Sequence, residues 1–131
     1  MKAAKDMIAS NIHFFNTVHP DDKVIKALQL MKCNNLNHVI VVAGGRFMGI
    51  MSETDYAKKV ILEGKNSYET AVREIMDSEC PVVDAVDSMD ACFVIMNRLK
   101  ANYLFVFDEL NFIGVLTMQD MLREELEEKV K

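Results

Sequence analysis

Tryptophan is absent, and only five glycines and two prolines punctuate the 131 residues. That scarcity excludes collagen-like and Gly/Pro-rich low-complexity chains. No apolar run approaches the ~20 residues that a membrane helix needs, and Asp6, Asn11 and His13 interrupt any signal-peptide core near the N-terminus. The expectation is a cytoplasmic protein with no membrane partner. Cys33, Cys80 and Cys92 are odd in number, lack a CxxC spacing and lie in or beside apolar runs. They read as free thiols in a reducing compartment. His13, His19 and His38 are scattered, and none pairs at i, i+4 with another ligand type, so metal chemistry has no support. Gly44-Gly45 lacks a following Gly-Lys-Ser/Thr, which excludes a P-loop. No nucleophile has an adjacent base, and the chain is expected not to be an enzyme or to carry a catalytic cofactor. Basic excess is also missing: 20 acidic side chains face 15 basic ones, for a net charge of −5. Nonspecific binding to nucleic acid, which depends on Lys and Arg neutralising phosphates, is therefore disfavoured.

Apolar residues are plentiful, at half of the chain, enough for one compact domain or two small lobes sharing a core. The sequence is organised around Phe47-Met48-Gly49-Ile50-Met51-Ser52-Glu53-Thr54-Asp55, an apolar strand running into a helix that opens at Ser52. First-turn N–H groups of such a helix are unpaired and favour an anion such as phosphate. Ser52 followed by Asp55 is equally the signature of a capping box. A second copy, Phe112-Ile113-Gly114-Val115-Leu116-Thr117-Met118-Gln119-Asp120, lies at a constant offset of 65 residues. The register continues back through Val41 with Val106, Asn37 with Asn102, Met31 with Met96, Asp22 with Asp87 and Val18 with Val83. An ungapped match of 17–57 against 82–122 is an internal duplication.

Each repeat reads as strand, helix, strand, strand, helix. Residues 3–9 form a short helical lead, and 14–18 a strand. Asp21 or Asp22 can cap a helix carrying Val24, Ala27, Leu28 and Met31 at the 3.6 period, ending near Asn34-Asn35. A hairpin follows across Ala43-Gly44-Gly45-Arg46, and then a helix from Ser52 to about Leu62. The predicted boundaries are 1–64 for the first repeat, 65–69 for a linker and 70–131 for the second. In the second repeat 70–76 echoes the lead, 81–86 is a strand, Asp87 caps a helix bearing Met89, Cys92, Phe93 and Met96, and a hairpin crosses 108–111. Thr117 opens a last helix that becomes highly charged after Arg123.

The two apolar-Gly-apolar-apolar-Ser/Thr-x-x-Asp stretches, Thr17-Val18-x-Pro20, Asn37-His38-Val39 and the run Ser52-Glu53-Thr54-Asp55-Tyr56-Ala57-Lys58-Lys59-Val60 resemble a tandem pair of CBS domains, a Bateman module, over nearly the whole chain. The last run is similar to a segment of small stand-alone bacterial CBS-pair proteins. The resemblance implies an α/β (α+β) fold of two pseudo-twofold repeats, each with a small sheet packed on helices, and adenosyl nucleotides (AMP, ADP, ATP or NAD) in clefts between the repeats. It also implies a flat homodimer and an effector protein that receives the signal. On this reading Asp55 and Asp120 accept ribose hydroxyls, and Ser52, Thr117 and Lys58 serve the phosphate side. Thr17, Val18, Asn37, His38 and Val39 line one base site; Val83, Asn102, Tyr103 and Leu104 line the other. The chain departs from its relatives at Thr54, where arginine is common, and at Asn102-Tyr103-Leu104, in place of Arg-His-apolar-Pro. Lys58 and Lys59 follow Asp55, whereas Arg123 and Glu124 follow Asp120, so a charged nucleotide is expected at Asp55. The alternative is a nucleotide-independent dimerisation or interaction scaffold in which both Ser/Thr-x-x-Asp sequences serve only as caps.

Overall fold

The structure is a computed structural model that describes residues 2–8 and 16–130. Its elements, in order, are α1 (Ala4–Ile8), β1 (Thr17–Val18), α2 (Val24–Asn34), β2 (His38–Ala43), β3 (Arg46–Ser52), α3 (Glu53–Tyr56), β4 (Val82–Asp84), α4 (Met89–Leu99), β5 (Tyr103–Asp108), β6 (Asn111–Thr117) and α5 (Met118–Lys129). A π-helical turn, Ala57–Ile61, continues α3, and a 3-10 turn covers Val72–Glu74. The fold is mixed α and β, with two three-stranded sheets packed against helices, as expected.

Both sheets have one plan. β1 pairs parallel to β2, which pairs antiparallel to β3; β4, β5 and β6 repeat this. Even the irregularity is duplicated: each hairpin slips register by one residue, beside Gly49 opposite Val41 and beside Gly114 opposite Val106. The first hairpin turns at Gly44 and Gly45, with φ of 57° and 75°, the left-handed geometry such turns require. The second turns with Glu109 at φ 56°.

Strand alternation sends Val39, Val41 and Met51 into one core, with Val24, Ala27, Val60, Val72 and Ile75. Leu104, Val106 and Leu116 enter a separate core, with Met7, Met89, Cys92, Met96 and Met121. One compact unit gathers β1 through the 3-10 turn, up to Glu79; the other joins α1 to the chain from Cys80 onward. The compact units therefore differ from the sequence repeats in the lead segment they hold. Ala4 N–H donates to the carbonyl of Asp87, and Lys5 N–H to that of Ala85, which docks α1 beside the second-repeat strands. Residues 71–77 dock on the first repeat in the same way, through Val72 N–H to Asp22 O and a bridge between Asp77 and Ile50.

Several local expectations change. Lys23, not Asp21 or Asp22, is the N-cap of α2 and makes no side-chain cap bond. Asp22 instead reaches back to accept the N–H of His19 at 2.9 Å. Asp87 likewise accepts the N–H of Asp84 at 2.9 Å, and the cap of α4 is Ser88, whose hydroxyl accepts the N–H of Ala91. In both repeats the aspartate closes the turn before the helix, and the next residue begins it. α2 ends as expected, with Asn35 in the left-handed region at φ 53°. Helix 52–62 is a single α-turn that becomes π-helical, the N–H of Leu62 donating to Ala57 O. The predicted helix at 70–76 is only a 3-10 turn. The lead helix and first strand are seen at Ala4–Ile8 and Thr17–Val18; the remainder of 3–9 and 14–18 lies partly outside the described residues.

Candidate functional site

Each repeat brings its candidate residues to one end of its sheet. In the first, β2 and β3 pair so that His38 faces Ser52 and Val39 faces Met51. The carbonyl of Asn37 then accepts the N–H of Glu53 at 3.0 Å, which fastens the start of β2 to the start of α3. The second repeat places Tyr103 opposite Thr117 and Leu104 opposite Leu116, and Asn102 O accepts the N–H of Met118 at 3.1 Å. β1 lies alongside, with Thr17 opposite Ile40 and Val18 opposite Val41; Val83 matches Val106 in the same way.

At each junction sits a buried carboxylate. Asp55 Oδ2 accepts the backbone N–H of Ser52 at 2.9 Å and its hydroxyl at 3.0 Å, while Ser52 Oγ accepts the N–H of Asp55 at 3.1 Å. Asp120 Oδ2 accepts the N–H of Thr117 at 3.0 Å, and Thr117 Oγ1 that of Asp120 at 3.0 Å. Both are complete capping boxes. They hold each carboxylate in a fixed orientation, with one oxygen committed to the backbone.

The other oxygen distinguishes the repeats. Lys59 Nζ lies 3.2 Å from Asp55 Oδ1 and donates at 3.1 Å to the carbonyl of Ile75. Arg123 stands 3.5 Å from Asp120 Oδ1. Glu124, which occupies the position equivalent to Lys59, pairs at 2.7 Å with Lys2, an attachment that raises the pKa of Lys2. Thus a lysine pair follows Asp55, whereas Glu124, Glu125, Glu127 and Glu128 crowd the helix behind Asp120.

The remaining candidates divide by environment. Val18, Val39, Val83 and Leu104 are buried in the two cores, so only their backbone groups face outward chemistry. His38 is buried, with Nδ1 3.0 Å from Asn37 Oδ1. Thr17, Lys58 and Asn102 are exposed, and Tyr103 is half-buried. Two features escaped the sequence reading. Lys59 lies at helical i+4 from Asp55, a spacing that signals an ion pair, but its bond to Ile75 has no local signal. Asn16 is 2% exposed, and its Oδ1 has no partner among the described residues.

Among the described residues, no group of three or more His, Cys, Asp or Glu could hold a metal ion, and no helix is long and apolar enough to cross a membrane. The arrangement suits recognition by hydrogen bonding: two oriented carboxylates, each beside strand-start carbonyls and the first turn of a helix.

Comparison with known proteins gives the same duplicated plan. The chain is 25% identical over 121 residues to the CBS domain-containing protein YhcV of Bacillus subtilis, covering 92% of this chain and 84% of that one. It is 27% identical over 108 residues to the mitochondrial CBS domain-containing protein CBSX3 of Arabidopsis thaliana, where the match spans 79% of this chain and 52% of the relative. Among solved structures, a protein with CBS domains from Burkholderia ambifaria MC40-6, assigned to signal transduction, superposes with a TM-score of 0.86 at 29% identity, covering 97% of this chain and 95% of that one. A hexameric CBS-CP12 protein from bloom-forming cyanobacteria shares the fold, with a TM-score of 0.79 at 24% identity over 93% of this chain and 71% of that one. The CBS domain model itself matches twice, at residues 4–61 and 72–127, and the chain belongs to the CBS-domain family as a tandem pair.

Proposed function

We propose that this CBS pair is a regulatory module that binds an adenosyl nucleotide (AMP, ADP, ATP or NAD) through Asp55 and Asp120 and passes its occupancy to a partner protein. The observation that supports this most is the duplicated carboxylate: in each repeat an aspartate is buried, fixed by its capping box and set at the junction of strand and helix. A vicinal ribose diol is a natural donor to such a group. A hydrogen bond to an ionised acceptor contributes about 1.5–3 kcal/mol, so Asp→Ala at a working site weakens binding by roughly 10- to 150-fold. Lys58, exposed one turn after Asp55, suits a phosphate, and Thr17 adds a hydroxyl where the second repeat has Val82. The first site is accordingly the better one for a charged ligand. The carboxylates act as acceptors within caps, which fits binding and not turnover. Three free thiols suit a reducing compartment such as the cytoplasm.

The module is proposed to act as a homodimer. Leu122 and Leu126 lie exposed at successive turns of α5 and Val130 at its C-cap, with Val94 and Leu99 exposed on α4. A mass measurement by light scattering at micromolar concentration gives a dimer if these faces associate.

One observation favours a second reading. Both Ser/Thr-x-x-Asp sequences complete capping boxes, which alone accounts for the residues if the chain is a nucleotide-independent scaffold. Thermal shift with AMP, ADP, ATP, NAD and S-adenosylmethionine separates the two. Ligand at ~100 times its dissociation constant adds about 2.7 kcal/mol to stability. The sensor reading expects a shift with at least one nucleotide that is lost in Asp55→Ala or Asp120→Ala, each compared with its own unliganded melt. Indifference to all five at millimolar concentration supports the scaffold.

A further inference from the structure

We infer that Lys59 is a brace that a ribose diol displaces, so that filling the Asp55 site loosens residues 71–77; the inference rests on the nucleotide reading above. Lys59 Nζ joins two groups that are far apart in sequence, Asp55 Oδ1 at 3.2 Å and the carbonyl of Ile75 at 3.1 Å. Ile75 belongs to the segment that docks against β3, where Asp77 exchanges backbone hydrogen bonds with Ile50. One ammonium group therefore ties the candidate site to that segment.

The hydrogen-bond capacity of the carboxylate decides what happens on binding. An ionised aspartate accepts about four hydrogen bonds over its two oxygens. Asp55 Oδ2 already takes two, from the N–H and the hydroxyl of Ser52, and Lys59 Nζ covers Oδ1 as an ion pair at 3.2 Å. A diol brings two more donors, which would fill the carboxylate, and the oxygen free of the cap, Oδ1, is the one Lys59 covers, so the two compete for it. Releasing the N–H of Ser52 strands a backbone donor in a residue that is 3% exposed, and buried unpaired donors are disfavoured. The side chain of Lys59 is 40% exposed, and water replaces the partners of such an ammonium at little loss. Lys59 is the partner that leaves Oδ1; its ammonium then lacks the ion pair that holds it over the Ile75 carbonyl, and that hydrogen bond weakens. Exposed Arg73 and Glu74 lie on the loosened segment, where a partner protein can read the change.

The second repeat lacks this device. Glu124 stands where Lys59 would, carries the opposite charge and is engaged with Lys2. Filling the Asp120 site leaves the Lys2–Glu124 pair in place.

Hydrogen–deuterium exchange on the full chain tests the brace, with AMP as ligand, 2′,3′-dideoxy-AMP as its diol-free counterpart, and thermal shift recording occupancy. Saturating AMP is expected to speed exchange at the amides of Ile75, Met76 and Asp77 roughly three- to ten-fold, in line with loss of one exposed ion pair and weakening of one hydrogen bond. The dideoxy compound leaves these amides unchanged. Lys59→Met reproduces the faster exchange without ligand and removes any further response to AMP, while amides of 4–8 stay constant throughout. AMP that binds, by thermal shift, yet leaves 75–77 unchanged or more protected overturns the brace and spares the nucleotide reading. Failure of AMP and every other adenosyl nucleotide to bind overturns both.

Discussion

Gly49 meets Asp77 backbone to backbone: a Cβ built on Gly49 stands 2.5 Å from the Asp77 carbonyl oxygen, at a φ of +153°. Neither the carbonyl nor the β3 backbone can retreat easily, because Ile50 and Asp77 exchange hydrogen bonds at 3.0 and 2.7 Å next to this point. Gly49→Ala is therefore expected to cost about 2 kcal/mol or more, combining strain and overpacking. Gly114, its counterpart, would place a Cβ 2.9 Å from Ile8 Cδ1, the tip of a side chain that can turn aside. Gly114→Ala should cost less, and Ile8→Val should recover part of the loss as a non-additive pair. Urea denaturation of wild type, the three single variants and the Gly114→Ala/Ile8→Val double variant checks this ordering; equal losses at the two glycines would refute it.

The capping boxes predict a second ordering. Ser52 and Thr117 each give an oxygen to the third N–H of their helix, so Ser52→Ala and Thr117→Ala should each cost about 1 kcal/mol. Ser52→Gly and Thr117→Gly should cost only a few tenths. If either alanine variant matches wild type in its denaturation midpoint, that box contributes nothing to stability.

The duplicated stretch made most of the architecture legible. Gly44-Gly45 marked the hairpin turn, Asn35 marked the end of α2, and the 65-residue offset required the second sheet to copy the first. Caps were misplaced by one residue for a physical reason. Asp22 and Asp87 satisfy N–H groups behind them, in turns closed by Asp22 N–H to His19 O and Asp87 N–H to Asp84 O, so Lys23 and Ser88 stand at the helix starts. Apolar spacing cannot say which sheet a lead segment covers: Met7 and Ile75 are equally apolar, yet each packs with the core of the sequence-distant repeat. At the site, the Ser-x-x-Asp pattern gave the local cap correctly. The tie from Lys59 to Ile75, 16 residues away, depends on docking of the 3-10 segment and leaves no periodic trace.

Asp22 makes stability depend on acid pH. The N–H of His19 is the main cause holding its carboxyl below the ordinary 3.8; partial burial opposes this, and Lys26 adds to the lowering. Because the folded pKa is the lower one, the stabilisation is complete above 3.8 and is lost as pH falls through the folded value. Asp22→Asn should be less stable than wild type by about 1 kcal/mol near neutrality, and the difference should vanish as pH falls well below 3.8. A gap that persists unchanged at pH 2 would show that packing, not charge, is responsible.

Cys92 gives the opposite dependence at alkaline pH. Its side chain is buried at 0% exposure, and burial, with the charge of Asp87 adding, pushes the thiol from 9.0 up to about 11. The thiolate is the reactive form, so at pH 8 its fraction in the folded chain is about 100-fold below that of an ordinary thiol. Cys33, which is exposed, should label rapidly with iodoacetamide at pH 8, while Cys92 labels only as the chain opens globally. Unfolding lets Cys92 ionise near 9, so this residue also lowers stability as pH rises from 9 towards 11. Peptide mapping after timed alkylation measures both rates, and Cys92→Ala or Cys92→Val isolates the alkaline slope. Labelling of Cys92 in native protein as fast as Cys33 would mean that its core opens far more readily than its packing implies.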